Sequence, residues 1–356
     1  MKIQSKIKNY TVEMLDDLPD NKKKIFENLK YDRLFYFIDE NVYKIYKSKL
    51  RPFINDDFYL VIEALETNKE YKNLTKYYKN LIENKFTRND ILVTIGGGIL
   101  QDISGFIAST LYRGIKWIFI PTTLLAQADS CIGSKTSINF GDSKNLIGSF
   151  YPPDAIYIDI EFCKTLEPEY FNSGLGEIIK FHLLSDEKRY EHLKEYLSST
   201  DLRKGEIFKN IIWSNLEIKK SYFEGDEFDT GRRNLLNYGH CFGHALESAS
   251  NFAVSHGEAV LIGMGFANLL SFKRGLMLEE KFTEFEDLFQ KYYPDFDISN
   301  INVNDILYYL KQDKKRVGKD LTMILSEDIG RHHKYNDIKE VEVIETFNDF
   351  IKSYNR

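Results

Sequence analysis

Three of the chain's seven histidines, His240, His244 and His256, lie in Asn237-Tyr238-Gly239-His240-Cys241-Phe242-Gly243-His244 and in the triplet His256-Gly257-Glu258. Residues four apart share a face of a helix, which brings His240 and His244 together, and the chain between His244 and His256 is long enough to fold back. Glu177 is a carboxylate within the otherwise apolar run Gly174-Leu175-Gly176-Glu177-Ile178-Ile179. Two imidazoles and a carboxylate suit a catalytic Zn²⁺ that keeps one position open for substrate. The same residues also fit a core in which each histidine is bonded to backbone, and spacing alone leaves His244 as eligible as its neighbours.

A second group is cationic. Asp129 and Lys135 in Asp129-Ser130-Cys131-Ile132-Gly133-Ser134-Lys135, then Lys144 and Asn145 in Lys144-Asn145-Leu146-Ile147-Gly148, punctuate a glycine-containing stretch; Arg113, Arg232 and Arg233 add charge elsewhere. Single lysines are ordinarily solvated. Their position beside glycine loops rather than on amphipathic helices points to an anion site. A third group is Gly96-Gly97-Gly98, directly after an apolar run. Small residues between a strand and a helix let the backbone approach a pyrophosphate at the helix start, although this is not the G-x-G-x-x-G fingerprint and a ligand-free tight turn is the alternative.

These residues need elements to hold them. Leu34–Asp39, Ile91–Ile95, Trp117–Pro121 and Ala155–Asp159 are continuous apolar runs separated by helical stretches, the pattern of a parallel sheet covered on both faces. From about residue 162 the strand signal fades, and helical runs such as Val260–Ala267 dominate. The expected class is α/β: a Rossmann-like nucleotide-binding domain over residues 1–161, followed by a mostly α-helical metal-binding domain over 162–356. A chain of 356 residues exceeds what one hydrophobic core usually serves.

With 43% apolar residues, 26 Phe and 23 Tyr, the chain is rich in core material. Its net charge of 48 − 54 = −6 argues against a nucleic-acid partner. Three cysteines without close pairing read as reduced thiols of a cytoplasmic protein, and no apolar run has the form of a signal peptide or a membrane span.

In order and spacing, Gly96-Gly97-Gly98 with Asp102, Pro121-Thr122-Thr123-Leu124-Leu125-Ala126-Gln127, Lys144-Asn145-Leu146-Ile147-Gly148, Asn237-Tyr238-Gly239-His240 and His256-Gly257-Glu258-Ala259-Val260 resemble the 3-dehydroquinate synthases, within the sugar phosphate cyclase family. The resemblance runs from about Asp39 to Gly330. It implies that a secondary hydroxyl of a seven-carbon sugar acid phosphate is oxidised with NAD⁺ and that phosphate is then eliminated. The hydride is returned, and an aldol step closes a carbocycle with no net redox change. The resemblance assigns Glu177, His240 and His256 to Zn²⁺, with Co²⁺ a possible substitute. It gives Asp129, Lys180, Lys219, Asn237 and Asp229 to the reacting centre, Arg233 to the substrate carboxylate, and Lys135, Asn145 and His244 to the phosphate. Arg113 would join that phosphate pocket from a neighbouring subunit, which implies a homodimer; one of Lys314 and Lys315 would reach the phosphate as well. NAD contacts fall on Asp39, Asn41, Lys72, Gly96, Gly97, Gly98, Asp102, Thr122, Thr123, Lys135, Lys144 and the stretch Phe162 to Thr165.

Four positions depart from the family pattern. The loop that carries a ribose-binding glutamate reads Asn68-Lys69-Glu70-Tyr71-Lys72, with Lys69 at that glutamate unless Glu66 or Glu70 substitutes. Asp229 stands for a glutamate, Ser134 for a glycine and Gly176 for an alanine. A cyclase for another heptulose phosphate in secondary-metabolite or polysaccharide synthesis is the alternative. Beyond it stand a metal-dependent polyol dehydrogenase and a catalytically silent binding module.

Overall fold

The computed structural model describes residues 1–55, 57–141, 143–312 and 320–354, so Lys314 and Lys315 lie outside the described residues. Two compact units divide the chain. The first is Met1–Leu166 with two short returns, Arg203–Gly205 and Lys220–Glu227; the second is Glu167–Leu202, Glu206–Lys219 and the chain from Phe228 onward. The division follows Leu166 rather than residue 161 because the intervening turn is held in the first unit. Phe162 packs edge-on against Tyr46, and the Cys163 thiol donates to Gln127 Oε1 at 3.2 Å.

In the first unit, strands β1 (Lys2–Ile3), β2 (Tyr10–Leu15), β3 (Leu34–Asp39), β4 (Phe58–Ile62), β5 (Ile91–Gly96), β6 (Lys116–Pro121) and β9 (Ala155–Asp159) form one sheet in the order β1-β2-β9-β6-β5-β3-β4. Every pairing is parallel except β1 with β2. Strands β7 (Lys135–Phe140) and β8 (Ser143–Phe150) form a separate antiparallel hairpin. Helices α1 (Lys22–Phe26), α2 (Glu40–Ile54), α3 (Leu74–Glu83) and α4 (Gly98–Thr110) complete the unit. Alternation along the strands sends Tyr36, Ile38, Val93, Ile95, Ile118 and Ile120 into a core with Leu50 and Phe53 of α2. On the opposite face Phe37 meets Tyr77 of α3 at 6.0 Å between centroids, and Trp117 lies against Gly105 of α4. From β3 the chain steps outward to β4, then returns to lay β5, β6 and β9 on the other side of β3. Such a reversal opens a crevice at the carboxyl ends of β3 and β5, where open parallel sheets take their ligands.

The second unit holds helices α5 (Pro168–Leu183), α6 (Glu187–Leu197), most of α7 (Gly205–Phe223), α8 (His240–Ala249), α9 (His256–Lys273), α10 (Glu279–Phe289), α11 (Val303–Gln312) and α12 (Glu340–Tyr354). It also contains a hairpin that the fading strand signal did not announce, β10 (Leu321–Asp328) with β11 (Arg331–Ile338). The helix start at His256 is fixed locally: Ser255 and Glu258 form a capping box, with the Ser255 hydroxyl 2.6 Å from Glu258 Oε2. Where α5 meets the start of α9, two contacts are close enough to require glycine. A methyl group on Gly257 would come within 1.7 Å of the Ser173 carbonyl oxygen, and one on Gly176 within 2.2 Å of the Gly257 carbonyl oxygen. No described helix is long and apolar enough to cross a membrane.

Candidate functional site

Candidate residues fall in both units. In the first, Asp39 ends β3, Gly96 ends β5, Thr122 and Thr123 follow β6, and Phe162 to Thr165 follow β9, so these positions lie at the carboxyl ends of four adjacent parallel strands. The Thr122 N–H donates to the Gly96 carbonyl at 3.0 Å, and Asp39 Oδ1 accepts from the Asn41 and Val42 amides at 2.8 and 3.2 Å. Helix α4 opens at Gly98. Its first turn holds no acidic residue and no side chain caps it, which leaves its amides for an anion. A methyl group on Gly98 would meet nothing closer than the Ser130 hydroxyl at 4.0 Å. The turn thus has room for a backbone-hugging ligand and fits a dinucleotide.

Around this turn, Asp129 lies in a single π-turn, Ala126–Ser130, a local irregularity common at functional sites. Lys135, Lys144 and Asn145 are exposed along the β7–β8 hairpin, and Lys72 is exposed and paired with Glu70 at 2.8 Å. Arg113 is exposed on a turn where Tyr112, Arg113 and Gly114 all take positive φ (52°, 63° and 121°). Ser134, at φ 62°, occupies a conformation that favours glycine, and its hydroxyl donates to Glu227 Oε1 at 2.8 Å. Lys69 lies 2.6 Å from Asp102 Oδ2 and is buried. Of the two nearby glutamates, Glu66 accepts from Asn139 Nδ2 at 2.8 Å, and Glu70 pairs with Lys72.

In the second unit Glu177, on α5, is fully buried, and neither carboxylate oxygen accepts a hydrogen bond of good geometry. Lys180, one turn on, forms an ion pair with it. The Nε2 atoms of His240 and His256 stand 3.4 and 3.5 Å from Glu177 Oε1. Two ligand atoms bound at about 2.1 Å to a tetrahedral ion stand about 3.4 Å apart. A fully buried carboxylate facing two imidazoles at that spacing fits a Zn²⁺ or Co²⁺ site. The other ring nitrogens face outer partners that would fix ring orientation: His240 Nδ1 lies 3.2 Å from the Tyr238 carbonyl, and His256 Nδ1 lies 3.3 Å from Glu247 Oε2. His244 is exposed, yet it offers a nitrogen within 4.8 Å of those of His240 and His256.

Charges in this cluster are strongly coupled. Burial pushes Glu177 up, but Lys180 and the two imidazoles outweigh it and hold the carboxylate well below its usual range. Burial, reinforced by Lys180, drives His240 well down. For His256 burial is overcome by Glu177 and Glu247, which raise it to about 10. Lys219 and Arg233 are buried, whereas Asn237 and Asp229 are half-buried. Asn237 Nδ2 donates to the Asn234 carbonyl at 2.7 Å.

Sequence reasoning passed over one residue. Glu247 lies seven positions after His240 on α8, two helical turns along, and that spacing could have flagged it. Lys69 stands out in sequence as a departure from the family pattern, but no local signal announces its burial.

Two family models, described as 3-dehydroquinate synthase N-terminal and C-terminal, match residues 59–173 and 174–316. The 3-dehydroquinate synthase of Clostridium acetobutylicum is 37% identical over 330 residues, covering 91% of each chain. That of Dictyoglomus thermophilum is 34% identical over 348 residues, covering 97% of this chain and 96% of its own. Among solved structures, the 2-epi-5-epi-valiolone synthase of Streptomyces hygroscopicus, with NAD⁺ and Zn²⁺ bound, superposes with a TM-score of 0.88 at 25% identity over 98% of both chains. Glycerol dehydrogenase of Schizosaccharomyces pombe shares the fold at a TM-score of 0.67 and 17% identity, covering 97% of this chain and 89% of its own. The chain belongs to the 3-dehydroquinate synthase family.

Proposed function

We propose that this protein converts 3-deoxy-D-arabino-heptulosonate 7-phosphate to 3-dehydroquinate and phosphate, a lyase reaction of the shikimate pathway. The observation that carries the reading is Glu177, buried without a hydrogen bond and faced by the Nε2 atoms of His240 and His256 at ligand–ligand spacing. Glu177, His240 and His256 would hold the metal. Asp39, Asn41, Lys72, Gly96 to Gly98, Asp102, Thr122, Thr123, Lys135, Lys144, Phe162 and Thr165 would hold the dinucleotide. When bound, NAD⁺ supplies a hydride acceptor and the metal a Lewis acid.

The remaining tasks fall to the chain's own side chains. The planar fork of Arg233 suits the substrate carboxylate. Asp129, Lys180, Lys219, Asn237 and Asp229 orient the hydroxyls and carry protons to and from them. Lys135, Asn145 and the exposed ring of His244 take the phosphate, whose departure is eased by cationic and amide donors. In the same reading Arg113 reaches the phosphate pocket of a neighbouring subunit in a homodimer, which its exposure on a left-handed turn supports. A cytoplasmic location completes the reading, in keeping with three cysteines that form no disulfide.

Incubating zinc-loaded protein with NAD⁺ and the heptulosonate phosphate tests this. The expected result is stoichiometric phosphate and 3-dehydroquinate by mass spectrometry, with no net rise in NADH absorbance. Turnover of sedoheptulose 7-phosphate instead would move the protein to another cyclase branch, and net NADH from a simple polyol would make it a dehydrogenase.

A further inference from the structure

Lys69 is a buried cation with a defined set of acceptors. Only 6% of it is exposed, and its ammonium stands 2.6 Å from Asp102 Oδ2 on α4, 2.6 Å from Asn145 Oδ1 on β8 and 4.0 Å from Glu66 Oε1. The hairpin side of this network is closed as well. The Asn145 backbone N–H donates to Asn139 Oδ1 at 2.8 Å, and the buried Asn139 donates through Nδ2 to Glu66 Oε1 at 2.8 Å. One lysine therefore ties the loop after β4 to both α4 and the β7–β8 hairpin.

We propose that Lys69 is a positioning residue of the dinucleotide half-site: its ammonium keeps Asp102 an anionic acceptor for a ribose hydroxyl and turns the Asn145 amide so that its NH₂ group faces outward to an anion. The inference rests on the functional reading above for what Asp102 and Asn145 contact. It goes beyond that reading in giving the task to a residue at which this chain departs from the family pattern.

Two arguments support it. An ammonium can only donate, so the Asn145 atom facing it is the carbonyl oxygen, and the amide nitrogen points the other way. Asp102 is governed by opposing effects. Burial pushes it up, Lys69 pulls it down, Glu66 pushes it up and the Ser137 amide of β7 pulls it down, with the balance at about 6. Above that pH the carboxylate offers a charge-assisted acceptor. A lysine has no acceptor of its own, so the loop contributes to ribose recognition through the carboxylate behind which it stands.

The test is NAD⁺ affinity, read by calorimetry on the zinc-loaded protein between pH 5 and 9, for wild type, K69M, K69R and the double variant K69M/D102N. Wild type should hold a constant affinity above about pH 7 and weaken below 6. In K69M that fall should move to higher pH, leaving binding about tenfold weaker at pH 7 and recovering toward pH 9. K69R should behave as wild type. K69M/D102N, which leaves no unpaired buried charge, should bind weakly and without pH dependence. Inorganic phosphate, added with NAD⁺ present, should bind several-fold more weakly to K69M at every pH. If K69M matches wild type, or is weaker by the same factor at every pH, the proposal fails while the nucleotide half-site stands. If wild type binds no NAD⁺ at any pH, the functional reading fails and takes the proposal with it.

Discussion

A carboxylate with no exposure and no hydrogen bond is among the costliest groups a protein can bury, and Glu177 persists because Lys180, His240 and His256 surround it. Its neighbours are arranged for an ion more than for one another. His240 and His256 both present Nε2 inward, while their Nδ1 atoms face the Tyr238 carbonyl and Glu247. Removing one imidazole leaves an incomplete donor set around a charge that still needs a partner. His256→Ala should therefore lower zinc affinity by more than about a hundredfold, since losing an outer-shell partner alone commonly costs ten- to a hundredfold. The far-ultraviolet circular dichroism should not change. Competition with a chromophoric chelator gives the affinity, and retention of stoichiometric zinc by the variant would remove His256 from the ligand set.

At the scale of elements, the metal cluster depends on how closely α5 approaches the start of α9, and the glycines there permit that approach. A methyl group on Gly257 would lie 1.7 Å from the Ser173 carbonyl oxygen, so Gly257→Ala must push the two helices apart and carry Glu177 away from His256. The expected cost is about 3 kcal/mol of stability, with a fall in zinc affinity besides. Gly225→Ala, where an added methyl group meets nothing within 4 Å, should change neither thermal unfolding nor chelator competition. This crossing also marks the limit of what could be read from sequence. The central strands were legible because burial on both faces leaves continuous apolar runs such as Leu34-Phe35-Tyr36-Phe37-Ile38. The histidine cluster was legible because its members share a helix or begin the next. The contact of Glu177 with His256 is a tertiary fact that family resemblance supplied and periodicity did not. The β10–β11 hairpin escaped because Arg331-His332-His333-Lys334 is too polar to read as a strand, although His332 is buried. The burial of Lys69 escaped because only packing distinguishes a buried lysine from a solvated one.

At the scale of the whole molecule, the two units should respond to acid in opposite directions. In the first, burial raises Asp39, Asp102 and Asp159 above their ordinary values, Asp102 to about 6. Folding then favours the protonated form, so these groups add stability as pH falls toward the usual carboxylate range. In the second unit the sign reverses. His182 is buried with Nδ1 on the Ile178 carbonyl at 2.8 Å and Nε2 beside the Ser214 hydroxyl at 3.1 Å, and burial pushes it down to about 4. His332 stands edge-on to Tyr238, its two ring nitrogens without hydrogen bonds, and burial pushes it down to about 3. An unfolded chain protonates such residues near pH 6.5 while the folded chain does not, so their stabilising effect is complete above 6.5 and declines as pH falls toward 4 and 3. By pH 5 each should have withdrawn about 2 kcal/mol from the second unit. Hydrogen exchange followed by mass spectrometry at pH 7 and pH 5, corrected for intrinsic rates, resolves the units separately. Protection should drop in α5 and β11 but hold or rise in β3, β5 and β9. His332→Phe keeps the ring against Tyr238 without the titrating nitrogens and should remove about 2 kcal/mol of the acid-induced loss in the second unit; an undiminished loss in that variant would place the acid sensitivity elsewhere.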